Sequence, residues 1–271
     1  MHRAAFESLG LHLDYVALRV TRRDLVDVFP SLRKAFLGLN VTTPLKEAVL
    51  PLLDVVSPEA AEAGSANTLM FRKDRAEGYS TDGAGFLAAL AQAGAGTPRR
   101  VLVLGIGGAA RSVAGALRMA GAAVLVAGRN AKAGARLTRD VRGVAFLGNG
   151  APHLARALQD ANLLVNATPV GGEPDARACL LPEEVELRPG LTIFDLVYRP
   201  RRTVLLARAE AAGCRVVEGI EMLVEQGAAS FTIWTGLPAP VEIMRRAAHA
   251  ALDESVRGER PAEQASKRMT R

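Results

Sequence analysis

Aromatic residues are scarce in this 271-residue chain: eight Phe, three Tyr and one Trp, or 4% of the sequence. So few rings leave no stacking platform for nucleic-acid bases, and no basic stripe interleaved with aromatics occurs. Cysteine is scarcer still. Cys179 and Cys214 stand alone, without the spacing of a thiolate metal centre or a disulfide scaffold. The four histidines, His2, His12, His153 and His249, are scattered and form no metal-ligand pattern, so each is read as a surface or internally satisfied histidine. No apolar run approaches the roughly 20 residues that span a bilayer, and no secretory-signal pattern opens the sequence. Two free thiols without a leader predict a cytoplasmic protein.

Excess positive charge is modest. Lys and Arg number 34 against 28 Asp and Glu, a net charge of +6. Much of the excess lies in "VRGERPAEQASKRMTR", and residues 253–271 are expected to be a disordered charged tail. Elsewhere Arg is interleaved with acids, so anionic small molecules account for local basic residues as well as nucleic acid does. What the chain has in quantity is apolar residues, 49%, enough for full cores, and a length that suits two modest domains.

From about residue 99, "VLVL", "AVLVAG", "VAFL", "NLLVNA", "LTIFDLV" and "RVVE" read as short buried strands separated by Ala-, Leu- and Arg-rich helical stretches. Continuous apolar strands alternating with helices predict a doubly wound parallel sheet, here over residues 99–220. The first part is organised differently. "DYVALRV" reads as a strand, "DLVDVFPSLRKAF" as a helix, "GLNVTT" as a strand and "PLKEAVLPLL" as a helix with Pro44 near its first turn. "NTLMFRKDRAEGYSTD" reads as two strands joined at "KDR", and "GAGFLAALAQAG" as a helix leaving through "GAGTPRR". "EMLVEQGAASFTIWTG" and "PVEIMRRAAHAALDE" are helical and are expected to pack back on the first part.

"VLVLGIGGAARSVAGAL" gives Gly105, Gly107 and Ala110 as G-x-G-x-x-A after a strand and at a helix start. The first glycine permits a tight turn, the second lets backbone approach a pyrophosphate, and the small third residue lets helix and strand pack closely. The amides at Gly108 and Ala109 then face the phosphates. The next strand ends "GRN" rather than in an acid. A carboxylate there would repel a 2′-phosphate, whereas Arg129 attracts it, which favours NADP over NAD. Lys132, just beyond, either adds charge there or is simply solvated.

In the first part, Lys46 starts a helix, where a cation opposes the dipole; a role beyond solvation makes that placement easier to understand, but alone it reads most simply as a surface lysine. Asp82 in "YSTDGAGF" lies at a strand-to-helix junction and is most simply an N-cap.

Together "GLNVTTPLKE", "SANTL", "STDGAGF", "GIGGAARS", "NATPVGG", "DLVYRP" and "GIEMLVEQGAASF" occur in the order found in shikimate dehydrogenases, and the resemblance covers nearly all of the chain before the tail. It implies an N-terminal α/β substrate domain, residues 1–84, completed by C-terminal helices 221–252, plus a Rossmann NADP-binding domain. The implied activity is NADPH-dependent reversible reduction of 3-dehydroshikimate to shikimate, a step towards the aromatic amino acids. Lys46 and Asp82 become the catalytic pair. Thr42, Asn67, Tyr198 and Gln226 match substrate-binding positions, and Arg129, Asn166, Thr168 and Gly219 join the glycine turn around the cofactor. No metal is implied. The expected partner is a small-molecule substrate, not nucleic acid or membrane, and a homodimer is left open.

The sequence also departs from the family pattern. It opens "MHRAAFESLGL", where relatives usually carry an earlier strand and a Ser-x-Ser-Pro loop that holds the substrate carboxylate. The expected consequence is an exposed sheet edge or unpaired backbone in the first domain. Two explanations are expected: a start that lies upstream in the gene, or a chain that keeps the fold and binds substrate weakly as a non-catalytic homologue. Quinate or aminoshikimate relatives are the enzymatic alternative. Ser80 replaces Asn in the family's "NTD", and Gly128 and Asn130 flank Arg129 where the family has "NRT".

Overall fold

The computed structural model describes residues 1–258 except 74 and 149, with side chains as far as Asp253. Two sheets organise the chain. The first has four short strands, β1 (Gly38–Asn40), β2 (Val55–Val56), β3 (Thr68–Arg72) and β4 (Arg75–Tyr79), in the order β1-β3-β4-β2. β3 and β4 pair antiparallel, with Thr68 opposite Tyr79. Helices α2 (Leu25–Ala35) and α4 (Pro58–Ala63) cover it, and Leu25, Phe29, Ala60, Leu69 and Phe71 form one core.

"DYVALRV" is not a strand. Residues 11–20 have no regular structure, and Val16 and Leu18 are exposed. β1 has a single neighbour, and a cavity of about 300 Å³ separates its open edge from residues 14–20. This is the unpaired edge that the N-terminal departure predicts. A strand pattern without a partner to take its N–H and C=O groups does not hold strand geometry. Tyr15 tethers the segment by donating its hydroxyl to Asn40 Oδ1 at 2.9 Å.

The second sheet has six parallel strands: β5 (Arg100–Leu104), β6 (Ala123–Gly128), β7 (Val144–Gly148), β8 (Leu163–Asn166), β9 (Thr192–Asp195) and β10 (Arg215–Val217). Their order, β10-β9-β8-β5-β6-β7, is that of a dinucleotide-binding sheet, whose switch point lies between β5 and β8. All six apolar runs read from the sequence are strands; β5, β8 and β9 are buried almost throughout, while the edge strands β7 and β10 are partly exposed. Helix α6 (Gly108–Met119) packs Val113, Ala114 and Leu117 on one face, and α8 (Ala151–Asp160) packs Leu154 and Leu158 on the other. Between α6 and α8 runs α7 (Ala131–Asp140), and α9 (Val204–Ala211) lies between β9 and β10.

Helix α5 (Asp82–Gln92) bridges the two sheets. Its Phe86 and Leu90 lie in the core of the second sheet, while its N-terminus sits at the end of the first. Helix α10 (Gly219–Thr235) runs beside α5 and returns to the first sheet, where Trp234 Nε1 donates to Leu69 O at 2.8 Å. Phe6 of α1 (His2–Ser8), Phe231 of α10 and Met244 of α11 (Val241–Gly258) share a further core. Helix α11 continues past 253 to Gly258, so residues 253–258 are helical rather than tail; residues 259–271 lie outside the described residues. No helix among the described residues is long and apolar enough to cross a membrane.

Candidate active site

Lys46 lies on α3 (Leu45–Ala48), which is far shorter than the helix expected over "PLKEAVLPLL". Pro51 has no N–H to continue the ladder, and the chain tightens into a 3-10 turn over Leu50–Leu52. Asp82 is not the N-cap of α5. Thr81 holds that position, and Asp82 occupies the first turn, where the helix dipole favours its charge. Its carboxylate is therefore free to face Lys46: Nζ lies 2.6 Å from Asp82 Oδ2, with the lysine side chain 19% and the aspartate 5% exposed.

The other carboxylate oxygen is held as well. Asn67 Nδ2 donates to Asp82 Oδ1 at 2.9 Å and lies 3.0 Å from Gln226 Oε1. The backbone N–H of Thr81, a donor that cannot rotate, reaches Asn67 Oδ1 at 2.8 Å and fixes which way the amide points. Thr81 Oγ1 is 2.9 Å from Asn67 Nδ2. Beneath this layer Thr68 and Ser230 share a 2.7 Å hydroxyl contact, and Asn40 Nδ2 donates to Ser230 Oγ at 3.1 Å. Thr81, Asn40 and Ser230 were not singled out from the sequence, although all three lie inside quoted motifs; nothing in the spacing shows that β1, β3, α5 and α10 converge.

Asn40, Lys46, Asn67, Asp82 and Gln226 line a cavity of about 490 Å³ that also takes in Thr42, Tyr198 and, from the second sheet's side, Ala109 and Gly219. Tyr198 is 42% exposed and its hydroxyl has no partner among the described residues. Gly219 opens α10, and a Cβ there would lie 2.6 Å from Leu196 O and Val197 O, so glycine lets the helix start against the loop after β9.

The turn after β5 has the form its glycines require. Gly105 has φ +124°, and a Cβ there would lie 2.9 Å from Ala167 O. Gly107 is the N-cap of α6, and a Cβ on Gly107 or Gly108 would meet nothing within 4 Å. That open space at the start of a 12-residue helix fits a diphosphate. Arg129 follows β6, exposed and without an ion pair among the described residues, which suits a further phosphate. The substitutions around it have local causes. A Cβ at Gly128 would come within 2.9 Å of Ile106 Cγ2, and Asn130 caps α7 by accepting from Ala133 N at 3.0 Å.

Asn166 belongs to the turn rather than to the cavity surface. It is buried; its Oδ1 accepts from Thr168 N at 3.1 Å and Thr168 Oγ1 at 2.8 Å, and its Nδ2 donates to Asp195 at 2.8 Å. It shapes the loop that presents Thr168.

His2 departs from the reading of satisfied histidines. His12 and His153 are exposed and His249 pairs with Glu221 at 2.9 Å, but His2 is buried with both ring nitrogens unpartnered. It stacks on Tyr15 with ring centroids 4.5 Å apart. Burial, with a smaller push from the N-terminal ammonium, lowers its pKa to about 4.

The switch-point glycine turn and the part-buried lysine–carboxylate pair meet at one cavity, and together they define a nucleotide-binding α/β protein with an ammonium and a carboxylate at the cleft. The family model "Shikimate dehydrogenase substrate binding domain" matches residues 1–69, and "Shikimate 5'-dehydrogenase C-terminal domain" matches residues 219–249. The shikimate dehydrogenase (NADP(+)) of Moorella thermoacetica is 42% identical over 270 residues, which cover 95% of this chain and 90% of that one. The crystal structure of shikimate 5-dehydrogenase from Thermus thermophilus in complex with NADP(H) and shikimate superposes with a TM-score of 0.86 at 42% identity, covering 93% of each chain. Quinate dehydrogenase from Corynebacterium glutamicum in complex with NAD gives 0.83 at 28% identity, over 93% of each chain. The chain belongs to the shikimate dehydrogenase family.

Proposed function

We propose that the protein catalyses the reversible, NADPH-dependent reduction of 3-dehydroshikimate to shikimate. The observation that carries this reading is the 2.6 Å contact between Lys46 and Asp82 in a cavity that also reaches Ala109 of the glycine turn. Residues 1–84 with 221–252 form the substrate-binding unit and residues 99–220 the cofactor unit. Gly105, Gly107, Gly108 and Ala109 hold the diphosphate, Arg129 the 2′-phosphate, and Thr168 and Gly219 border the nicotinamide end. When bound, the reduced cofactor supplies the hydride to the ring carbonyl carbon.

Lys46 answers the charge that develops on the carbonyl oxygen. Its ammonium stabilises that oxygen and transfers a proton to it, completing the hydroxyl; in the reverse direction the lysine takes the proton back. Asp82 keeps the ammonium in place, and Asn67 keeps Asp82 in place. Thr42, Asn67 and Gln226 offer hydrogen bonds to a polyhydroxylated ring, and the Tyr198 hydroxyl suits its carboxylate. A site built to satisfy several hydroxyls discriminates strongly against substrates that lack one, because its own buried groups are then left unpaired.

Purified protein given shikimate and NADP is expected to produce the absorbance of reduced nicotinamide. Turnover with quinate and NAD alone would reassign the substrate, and tight NADPH binding without turnover would make the chain a non-catalytic homologue.

A further inference from the structure

Asp195 is a fully buried carboxylate to which the proposed reaction gives no task. It ends β9 directly opposite Asn166, the last residue of β8, and is 0% exposed. No Lys, Arg or His among the described residues pairs with it. Three neutral donors satisfy it instead: Asn166 Nδ2 at 2.8 Å and Val197 N at 3.0 Å on Oδ1, and Thr203 Oγ1 at 2.6 Å on Oδ2. Burial pushes its pKa up, while the bonds from Thr203, Val197 and Asn166 oppose that rise. An unpaired charge in a core costs free energy that an apolar residue would not, so its place calls for a reason.

The three donors belong to two different loops. Asn166 begins the loop after β8, whose Thr168 methyl group would be 3.2 Å from a Cβ on Gly105 of the cofactor turn. Within this loop Asn166 Nδ2 also donates to Val170 O at 3.1 Å, and Val170 N donates to Thr168 Oγ1 at 3.2 Å. Val197 and Thr203 belong to the loop after β9, which carries Tyr198 into the catalytic cavity. We propose that Asp195 is a positioning residue that locks these two loops together, so that the nicotinamide edge and the substrate-facing tyrosine are set by one buried group. The proposal rests on the functional reading above and adds that the two ligand sites are coupled through this carboxylate.

A merely structural role would lower stability without linking the two sites, so the test is a cross-effect. Asn166→Ala, on the cofactor-side loop, is expected to raise the KM for shikimate as well as for NADPH, each by about tenfold, the scale of one lost hydrogen bond to a charged group. Thr203→Val, on the tyrosine-side loop, is expected to raise the KM for NADPH. Asp195→Ala combines both effects, and Asp195→Asn, which keeps the shape and one acceptor and can donate to Thr203, restores both constants to within about threefold. If Asp195→Ala fails to fold, the two loop variants still decide. The coupling is overturned if each loop variant alters only the ligand on its own side, or if Asp195→Asn is as impaired as Asp195→Ala. Tyr198→Phe and Thr168→Ala serve as controls: if neither changes any KM, it is the assignment of the ligand sites that fails.

Discussion

At the scale of single residues, the proposed chemistry rests on the 2.6 Å contact between Lys46 and Asp82. Lys46→Ala is expected to lower kcat by about 10²–10⁴, the usual contribution of a positioned acid or base. Its melting temperature should change little, because Asp82 keeps its 2.9 Å bond from Asn67 and borders an open cavity. Turnover assays and thermal denaturation of the same preparation check this. Arg129→Ala is expected to raise the KM for NADPH about tenfold or more, the value of a charge-assisted hydrogen bond, while the KM for NADH hardly moves. The comparison of the two cofactors isolates the 2′-phosphate from general damage. Lys46 and Arg129 drew notice because each stands where its charge is not explained locally, whereas Asp82 reads most simply as an N-cap and joined Lys46 only through the family resemblance. His2 and Asp195 were not, since burial of a polar group depends on what folds over it.

At the scale of elements, the second sheet was read almost strand for strand, because parallel strands with helices packed on both faces of the sheet leave short continuous apolar runs. The first part was less legible. "DYVALRV" has strand composition, yet pairing is a property of neighbours, and among the described residues no strand pairs with this segment. "PLKEAVLPLL" has helical spacing, but Pro51 interrupts it. The contact between α5 and α10 is the element-scale feature most exposed to test. A Cβ on Gly85 would lie 2.5 Å from Gln226 N, so the two helices touch through a glycine. Gly85→Ala is expected to destabilise the protein by about 1–3 kcal/mol, the range for overpacking, and to raise the KM for shikimate by displacing Gln226. Urea titration and steady-state kinetics measure the two effects separately.

At the scale of the whole molecule, acid is the informative perturbation. His2 has a folded pKa of about 4 against an ordinary 6.5. Between these values the unfolded chain binds a proton that the folded chain refuses, so stability from the neutral ring is complete above pH 6.5 and drains as pH falls towards 4. The expected loss is about 3 kcal/mol across that window. His2→Phe, which can keep the stacking on Tyr15, is expected to flatten this limb, as read from the difference between variant and parent in unfolding free energy at pH 7 and pH 4.5. The sequence by itself determined the parallel sheet, the glycine turn and the preference for a 2′-phosphate, since periodicity, steric permission and local charge act between residues close along the chain. Only the tertiary structure decided that Lys46 faces Asp82, that Asn67 and Gln226 meet over them, and that Asp195 lies unpaired between two loops. Those contacts join segments up to 159 positions apart, as for Asn67 and Gln226, and distances of that kind are set by packing.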